Sequence, residues 1–526
     1  DFLSKPEEME NLPFAMYLTP SFERYSVNVI VSREAEEAAP MLVENNPTLH
    51  NLVGDIEHLS QIGALITNFT LIKPGALHKA NGGYLVIDIR KLLMEPFAWE
   101  ALKRVLRAKE IRIESPAQQY SLISTVTLEP EPIPLEIKIV LVGERLLYYL
   151  LYEYDPDFRE LFKVAADFEE EMERSDANTM LYTQVIATMA GKDGLKPLSA
   201  EAVGRVIEQS SRYAEDNGRL SMHLGSLSDL LKEADYLVNA EQRTRIEKAD
   251  IEKALESKEY RMSRPRDRLY ERIADGTLMI NVTGSAAGQV NGLSMIELGG
   301  YSFGIPSRIT ARTRIGKGQI IDIAREVKLG GPIHSKGVMI LSAYLGSKYA
   351  GKTPLSLSAS LVFEQTYGYV EGDSASGAEL FALLSSLADL PILQTFAVTG
   401  SVNQFGELQA VGGINEKIEG FFDVCSRLDP DGEHGVIIPA ANVRHLMLTS
   451  EVREAVEKGT FSVYAVHTVD EGMEILTGVP AGERDGKGNY PDDSINGRIV
   501  KQLAAYAEAV KTFVAGHSEA HGDSKT

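Results

Sequence analysis

The chain has 526 residues, too many for one ordinary domain, and its apolar and charged content is that of a globular protein. Lys and Arg number 53 against 75 Asp and Glu, a net charge of −22, which argues against a general binder of nucleic acid or anionic membrane because those need a positive field. The single cysteine, Cys425, leaves no intramolecular disulfide and points to a reducing, cytoplasmic setting; no apolar run approaches the roughly 20 residues of a membrane span.

No signal peptide opens the chain, which starts at Asp1 without a methionine, as a fragment or a processed product would. Residues 1–165 read as α/β. The alternating Tyr25–Val31 predicts a strand, Gly82–Asp88 a buried parallel strand ending in a carboxylate, Phe97–Lys109 a helix, and Ile137–Val142 a further strand. Residues 166–258 read as a small all-helical domain. Its helices fall near 177–191, 198–214, 226–239 and 248–257, with Ser199 as an N-cap.

Residues 265–480 turn strand-rich. Leu278–Thr283, Ser302–Arg314, Leu355–Gln365 and Gly435–Pro439 predict strands. The glycine-rich 330–337 reads as a loop before a helix over 338–350, and two more helices fall near 374–388 and 414–428. Residues 481–493 read as a linker, followed by a helix near 494–514 and a polar, disordered tail. The expected fold class is multidomain: a parallel-sheet α/β domain, a small helical domain and an α+β domain, with the C-terminal segment beyond.

The chemistry-bearing pattern is Glu371-Gly-Asp-Ser-Ala-Ser-Gly377, which presents Ser374 before an apolar helix, with Lys417 placed just after Gly412-Gly413. A serine hydroxyl needs a base, and a lysine serves only as a neutral amine. A first-turn position at a helix N-terminus, and burial, both disfavour its charge. Backbone N–H groups at the helix start after Ser374 could form an oxyanion hole. Asp373 and Glu371 could hold the turn or compete for Lys417, and the Thr399 hydroxyl could orient the amine. The alternative reading of the serine turn is a plain helix cap. The histidines His334, His434 and His467 lie in no nucleophile-elbow pattern and read as structural, and no Cys/His cluster has metal spacing.

The flanking segments Glu371–Ser376, Thr399-Gly400-Ser401 and Gly406–Glu419 closely resemble the protease domain of Lon peptidases, nearest to the archaeal-type and Lon-like branches. The resemblance runs from about Leu278 to Gly478, with His334, Ser335 and Lys336 fitting a loop of the family, which implies a substrate loop there. It implies that Ser374 is the nucleophile, Lys417 the general base and Thr399 the support of the lysine. It further implies an endopeptidase acting on unfolded proteins within a homo-hexameric ring.

Such peptidases carry an AAA+ module before the protease, and residues 1–257 resemble one. Lys73–Gly83 leading into Leu85–Asp88 is similar to the second nucleotide motif. Here Ile89 follows Asp88 where an acidic residue is expected, and Glu144 stands at a sensor asparagine position. Arg159 reads equally as a trans-acting arginine or a surface residue. Gly346–Thr353 spells a phosphate loop, but it ends a helix and precedes Pro354 and a strand, so it reads as a chance match. The resulting expectation is a serine–lysine endopeptidase independent of ATP hydrolysis. It requires no cofactor, leaves ATP binding open, acts on unfolded proteins, and uses no membrane or nucleic-acid partner. The alternatives are an ATP-dependent Lon protease whose phosphate loop lies upstream of Asp1, and a non-catalytic chaperone or adaptor ring.

Overall fold

The computed structural model describes residues 25–33, 38–61, 64–113, 128–316, 318–350 and 355–522. The chain divides into two compact units, Asp1–Phe168 and Glu169–Thr526.

The first unit is built on a parallel three-stranded sheet, β1 (Met41–Glu44), β2 (Tyr84–Asp88) and β3 (Lys138–Val142), with β2 in the middle. Leu85 and Ile87 of β2 are fully buried, as a central parallel strand requires. Asp88 ends the strand and caps the next helix, α1 (Ile89–Met94), accepting the Lys91 N–H. The amphipathic α2 (Ala98–Ala108) buries Ala98, Trp99 and Leu102 in the same core. After β3 come α3 (Arg145–Tyr154) and α4 (Pro156–Leu161). Tyr25–Val31 forms no strand: Val27 and Val29 are exposed, so the alternation has no buried face to occupy.

The second unit begins with four helices, α5 (Asp176–Lys192), α6 (Ala200–Tyr213), α7 (Leu224–Ala240) and α8 (Lys248–Met262), around a shared apolar cluster. Ser199 caps α6 through the Ala202 N–H. The region is not all helical, because Glu171–Glu173 pairs antiparallel with Arg219–Ser221. The region expected to be strand-rich also opens on a helix, α9 (Arg264–Ala274), with Pro265 in its first turn.

A seven-stranded mixed sheet follows, from β4 (Gln289–Leu298), β5 (Tyr301–Ile315), β6 (Gln319–Asp322), β7 (Leu357–Phe363), β8 (Phe396–Val398), β9 (His434–Pro439) and β10 (Phe461–Val466), in the order β6-β7-β5-β4-β8-β9-β10. Short α10 (Ile323–Glu326) follows β6, and α11 starts at Pro332 and runs to Tyr349. Residues 332–337 of the glycine-rich segment therefore become the helix's first turns, because Pro332 at its start has its φ set for a helix and loses no needed N–H. Leu278–Thr283 is no strand either; its Met279 N–H is taken by the Gln365 side chain.

One apolar cluster joins α11, α12 (Ser376–Ala388) and the terminal helix α14 (Ile495–Gly522) to the sheet. A second joins α9 and α13 (Ile414–Leu428) to the sheet. Ile495, Ile499 and Leu503 of α14 are buried in the first cluster, and residues 481–493 are pinned by bonds such as Asn496 Nδ2 to Gly482 O. The expected linker is thus tied down at Gly482, while most of its residues stay exposed. Gly346–Tyr349 closes α11, and 351–354 of the phosphate-loop look-alike fall outside the described residues, as do 523–526 of the polar tail, whose earlier residues belong to α14.

α13 lies so close on β5 that side chains are excluded at two places. A Cβ on Gly304 would come within 2.1 Å of Glu416 O, and one on Gly420 within 2.3 Å of Gly304 O. Gly304→Ala should cost about 1–3 kcal/mol by overpacking against backbone. Gly204→Ala, in the middle of α6 with open space around it, should stabilise by about 0.5–1 kcal/mol. Urea midpoints at equal slope measure both, and a neutral Gly304→Ala would show that the contact is looser than described.

Candidate active site

Ser374 sits in the turn just before α12, half-buried, and not in the helix itself. The turn is stapled to the segment after β8: Gly400 donates its N–H to Ser374 O at 2.9 Å, and Gly377 donates to Gly400 O at 2.9 Å. Thr399 Oγ1 also points at Ser374 O, at 3.5 Å, and the Thr399 N–H bonds Ile437 O of β9. Thr399 therefore holds the serine turn to the sheet, and no hydrogen bond joins it to the Lys417 amine among the described residues. The helix start offers fewer free donors than expected, because the N–H of Ser376 goes to Asp373 O and that of Gly377 to Gly400.

The turn is tied on its other side to the segment before α11. Gly331 donates to Val370 O at 2.9 Å, Val370 to Leu329 O at 2.8 Å, and Ile333 N–H to Glu371 Oε1 at 3.1 Å. Asp373 and Glu371 thus hold the turn and do not compete for the lysine; Asp373 lies 4.0 Å from the exposed Lys336.

Ser374 and Ala375 border a cleft of about 430 Å³, walled by Leu278, Met295, Ile305 and Tyr367. Met295 and Ile305 flank Gly304, the point on the β4–β5 ribbon against which the Lys417 backbone rests. One ribbon therefore serves as wall to the cleft and as bed for α13.

Lys417 lies in the first turn of α13, which Gly413 opens in the left-handed conformation at φ 64°. The side chain is 3% exposed, among core residues such as Ile414, Ile418 and Phe421, and no carboxylate lies within ion-pair distance among the described residues. Burial pulls its pKa down to about 8, against the smaller opposing pull of Glu416. About a tenth of the amine is then neutral at pH 7, far more than for an ordinary lysine.

Of the expected substrate-loop residues, His334 is buried: it is 1% exposed on α11, with Nε2 2.9 Å from Asp322 Oδ2 and 3.9 Å from Glu379 Oε1. Ser335 is half-buried and only Lys336 is open to solvent. Both oxygens of Glu379 are buried without a hydrogen bond, and burial pushes its pKa up to about 8. Burial opposes charge on His334, but Asp322 and then Glu379 more than offset that and raise its pKa. The donor atoms of these three residues lie within 4.8 Å of one another, close enough to suit a cation. Asp322, however, already accepts the Ala324 and Arg325 N–H groups as well as His334, so the group works as a buried cap joining α10, α11 and α12. The sequence reading missed Asp322 and Glu379, because a carboxylate in an apolar helix is visible as an anomaly but its partner is not.

The nucleotide candidates lie in the first unit. Asp88 is exposed and spent on capping α1, and Arg159 stacks on Tyr152 at 4.6 Å and pairs with Glu153 at 3.6 Å.

Two outcomes follow from the buried charges. The pKa of Lys417 is depressed by folding, so its cost is full below about pH 8 and is gone by about 10.5. Lys417→Met should therefore raise stability at pH 7, by about 3 kcal/mol at most, with the gain shrinking toward pH 10. Glu379 has the opposite sign: its raised pKa makes folding lose stability as pH climbs from about 4.5 to 8. Glu379→Gln should flatten that fall, and melting temperatures at pH 5 and pH 8 measure the difference; a parallel loss in both proteins would refute it.

Three family models match the chain: the LonB-like AAA domain over residues 37–169, the archaeal LonB AAA+ ATPase LID domain over 197–261, and the Lon protease (S16) C-terminal proteolytic domain over 368–477. A Lon protease homolog of Escherichia coli (strain K12) is 37% identical over 413 residues, covering 77% of this chain and 68% of the relative. The corresponding protein of Haemophilus influenzae is 34% identical over 416 residues, 77% of this chain and 66% of its own length. The archaeal Lon protease of Thermococcus kodakarensis is 27% identical over 463 residues, 85% and 68%. The chain thus spans about two thirds of the length of these relatives. With a Lon proteolytic domain match over the serine turn and the lysine helix, and a full relative at that identity, the chain belongs to the Lon protease family, in its LonB-like branch.

Proposed function

We propose that this chain is a serine endopeptidase that cuts unfolded proteins with a Ser374–Lys417 dyad and does so without hydrolysing ATP. The observation that carries the dyad is the Lys417 side chain: 3% exposed, without an ion-pair partner among the described residues, and held by burial at a pKa of about 8. A lysine kept in such a place costs stability, and a general base is the use that accounts for it. Lys417 takes the Ser374 hydroxyl proton as the oxygen attacks the peptide carbonyl. The protonated amine then gives that proton to the leaving nitrogen, and water repeats the cycle on the acyl-enzyme. Thr399 and Gly400 fix the turn through the Ser374 carbonyl, at the border of the cleft. The apolar cleft walls suit a stretched, unfolded chain, in which apolar side chains are exposed.

ATP independence rests on Ile89 after Asp88, on Glu144, and on Asp88 and Arg159 being engaged within their own unit. The AAA-like part then serves as scaffold and gate of a homo-hexameric ring in the cytoplasm, with no cofactor required. The matches to an AAA domain and its LID favour a second reading, an ATP-driven protease with further residues outside this chain.

Ser374→Ala and Lys417→Ala should each abolish casein cleavage, at least about 1000-fold, with assembly by light scattering unchanged. Cleavage by the parent should be equal with and without ATP. Full activity in either variant sinks the dyad, and ATP-dependent cleavage accompanied by ATP turnover sinks the independence.

A further inference from the structure

Inside the second unit, the helical region reaches the lysine helix through charge. Arg212, at the end of α6, grips Glu419 of α13 with both arms, Nη1 to Oε1 at 2.7 Å and Nη2 to Oε2 at 2.6 Å. The same Nη2 lies 3.6 Å from Glu416 Oε1, and Nη1 also donates to Met447 O at 2.8 Å. All three side chains are largely buried, with exposures of 23%, 16% and 22% for Arg212, Glu419 and Glu416. The Thr449 N–H donates to Glu419 Oε1 at 3.0 Å, so that carboxylate is fully engaged. A second charged anchor lies beside it: Arg444 bonds Asp216, and Asn217 N–H bonds Arg444 O at 2.9 Å.

Positions 416 and 419 share one face of a helix, and position 417 points about 100° away. The fork that takes both carboxylates therefore fixes how α13 is turned about its axis, and with it where Lys417 points. It also places a permanent cation beside Glu416, the carboxylate next to Lys417 in the chain. The other charges around α13 are Arg266 and Asp267 of α9, Glu259 of α8, and Asp423 and Arg427 on α13 itself. Tyr301 comes from β5, His434 from β9, and Arg444 and His445 from the turn after β9. Of these neighbours, Glu416 is the one whose charge acts on Lys417.

We propose that Arg212, from the helical region, is a positioning residue of the peptidase centre: its ion pairs to Glu416 and Glu419 orient α13 and keep the Glu416 charge from holding a proton on Lys417. The proposal rests on the Ser374–Lys417 reading. Seating of the helical region on α13 then sets how much of the base is neutral, which gives that region electrostatic control over cleavage. With Arg212 gone, the Glu416 charge is uncompensated, which favours the protonated amine.

The test uses the whole chain and two pH profiles: kcat/KM on an unstructured peptide, and the rate at which a fluorophosphonate labels Ser374. Arg212→Met should move the acid limb of both profiles up by about one unit, a loss of about tenfold at pH 7 that recovers above pH 9. Adding Glu416→Gln to Arg212→Met should restore most of the loss. Arg212→Lys, which keeps the charge but loses the fork, should fall between. Glu416→Gln alone should shift the limb to lower pH, and this arm stands even if Arg212→Met does not fold. An equal loss at every pH without rescue, or an unmoved limb in Glu416→Gln, overturns the proposal. Labelling and cleavage that survive Lys417→Ala instead overturn the dyad itself, so the two failures are told apart.

Discussion

The contact on which the rest depends is the bare backbone approach of α13 to β5 at Gly304 and Gly420. Without side chains there, the helix settles onto the sheet, and its first turn carries Lys417 into an apolar layer with Ile414, Ile418 and Phe421. Desolvation is what lowers the amine's proton affinity, and desolvation here is a matter of how close two backbones come. A chain with a larger residue at either glycine would keep Ser374 and Lys417 and lose this close seating of the lysine helix.

The serine side is built by a different device. Ser374 is held by backbone bonds from two directions, from Gly400 behind the sheet strand and from the Leu329–Ile333 segment in front of α11. That second segment is anchored in turn by the His334–Asp322 pair under it, with Glu379 reaching in from α12. The Ser374 turn thus sits between two supports whose own positions are set by buried polar groups. This explains why costly carboxyl groups such as those of Glu379 and Asp322 are found in an otherwise apolar core.

Much of this was legible beforehand. The helices over 414–428 and 98–108 and the long strand at 301–315 have apolar periodicity that matches their burial, and local signal suffices where one face is plainly apolar. The serine turn and the lysine helix were readable because small residues and paired glycines are unusual in such runs. The errors share one physical cause. Tyr25–Val31 and Leu278–Thr283 alternate as strands do but find no partner strand. Residues 332–337 look like a loop but are recruited into α11 by Pro332, and 481–493 look like a free spacer but are tied to α14 at Gly482. Pairing and docking are not local properties.

By itself the sequence determined the residue types of the site, their order and spacing, and the family they belong to, because these are carried by short motifs. Only the tertiary structure decided what those residues experience. It alone shows that Lys417 is buried, that Thr399 braces the serine turn, that His334 is part of a hidden cluster, and that Arg212, 204 to 207 positions away in the chain, grips Glu416 and Glu419. Burial and charge pairing arise between segments distant in sequence, and it is they that set proton affinity.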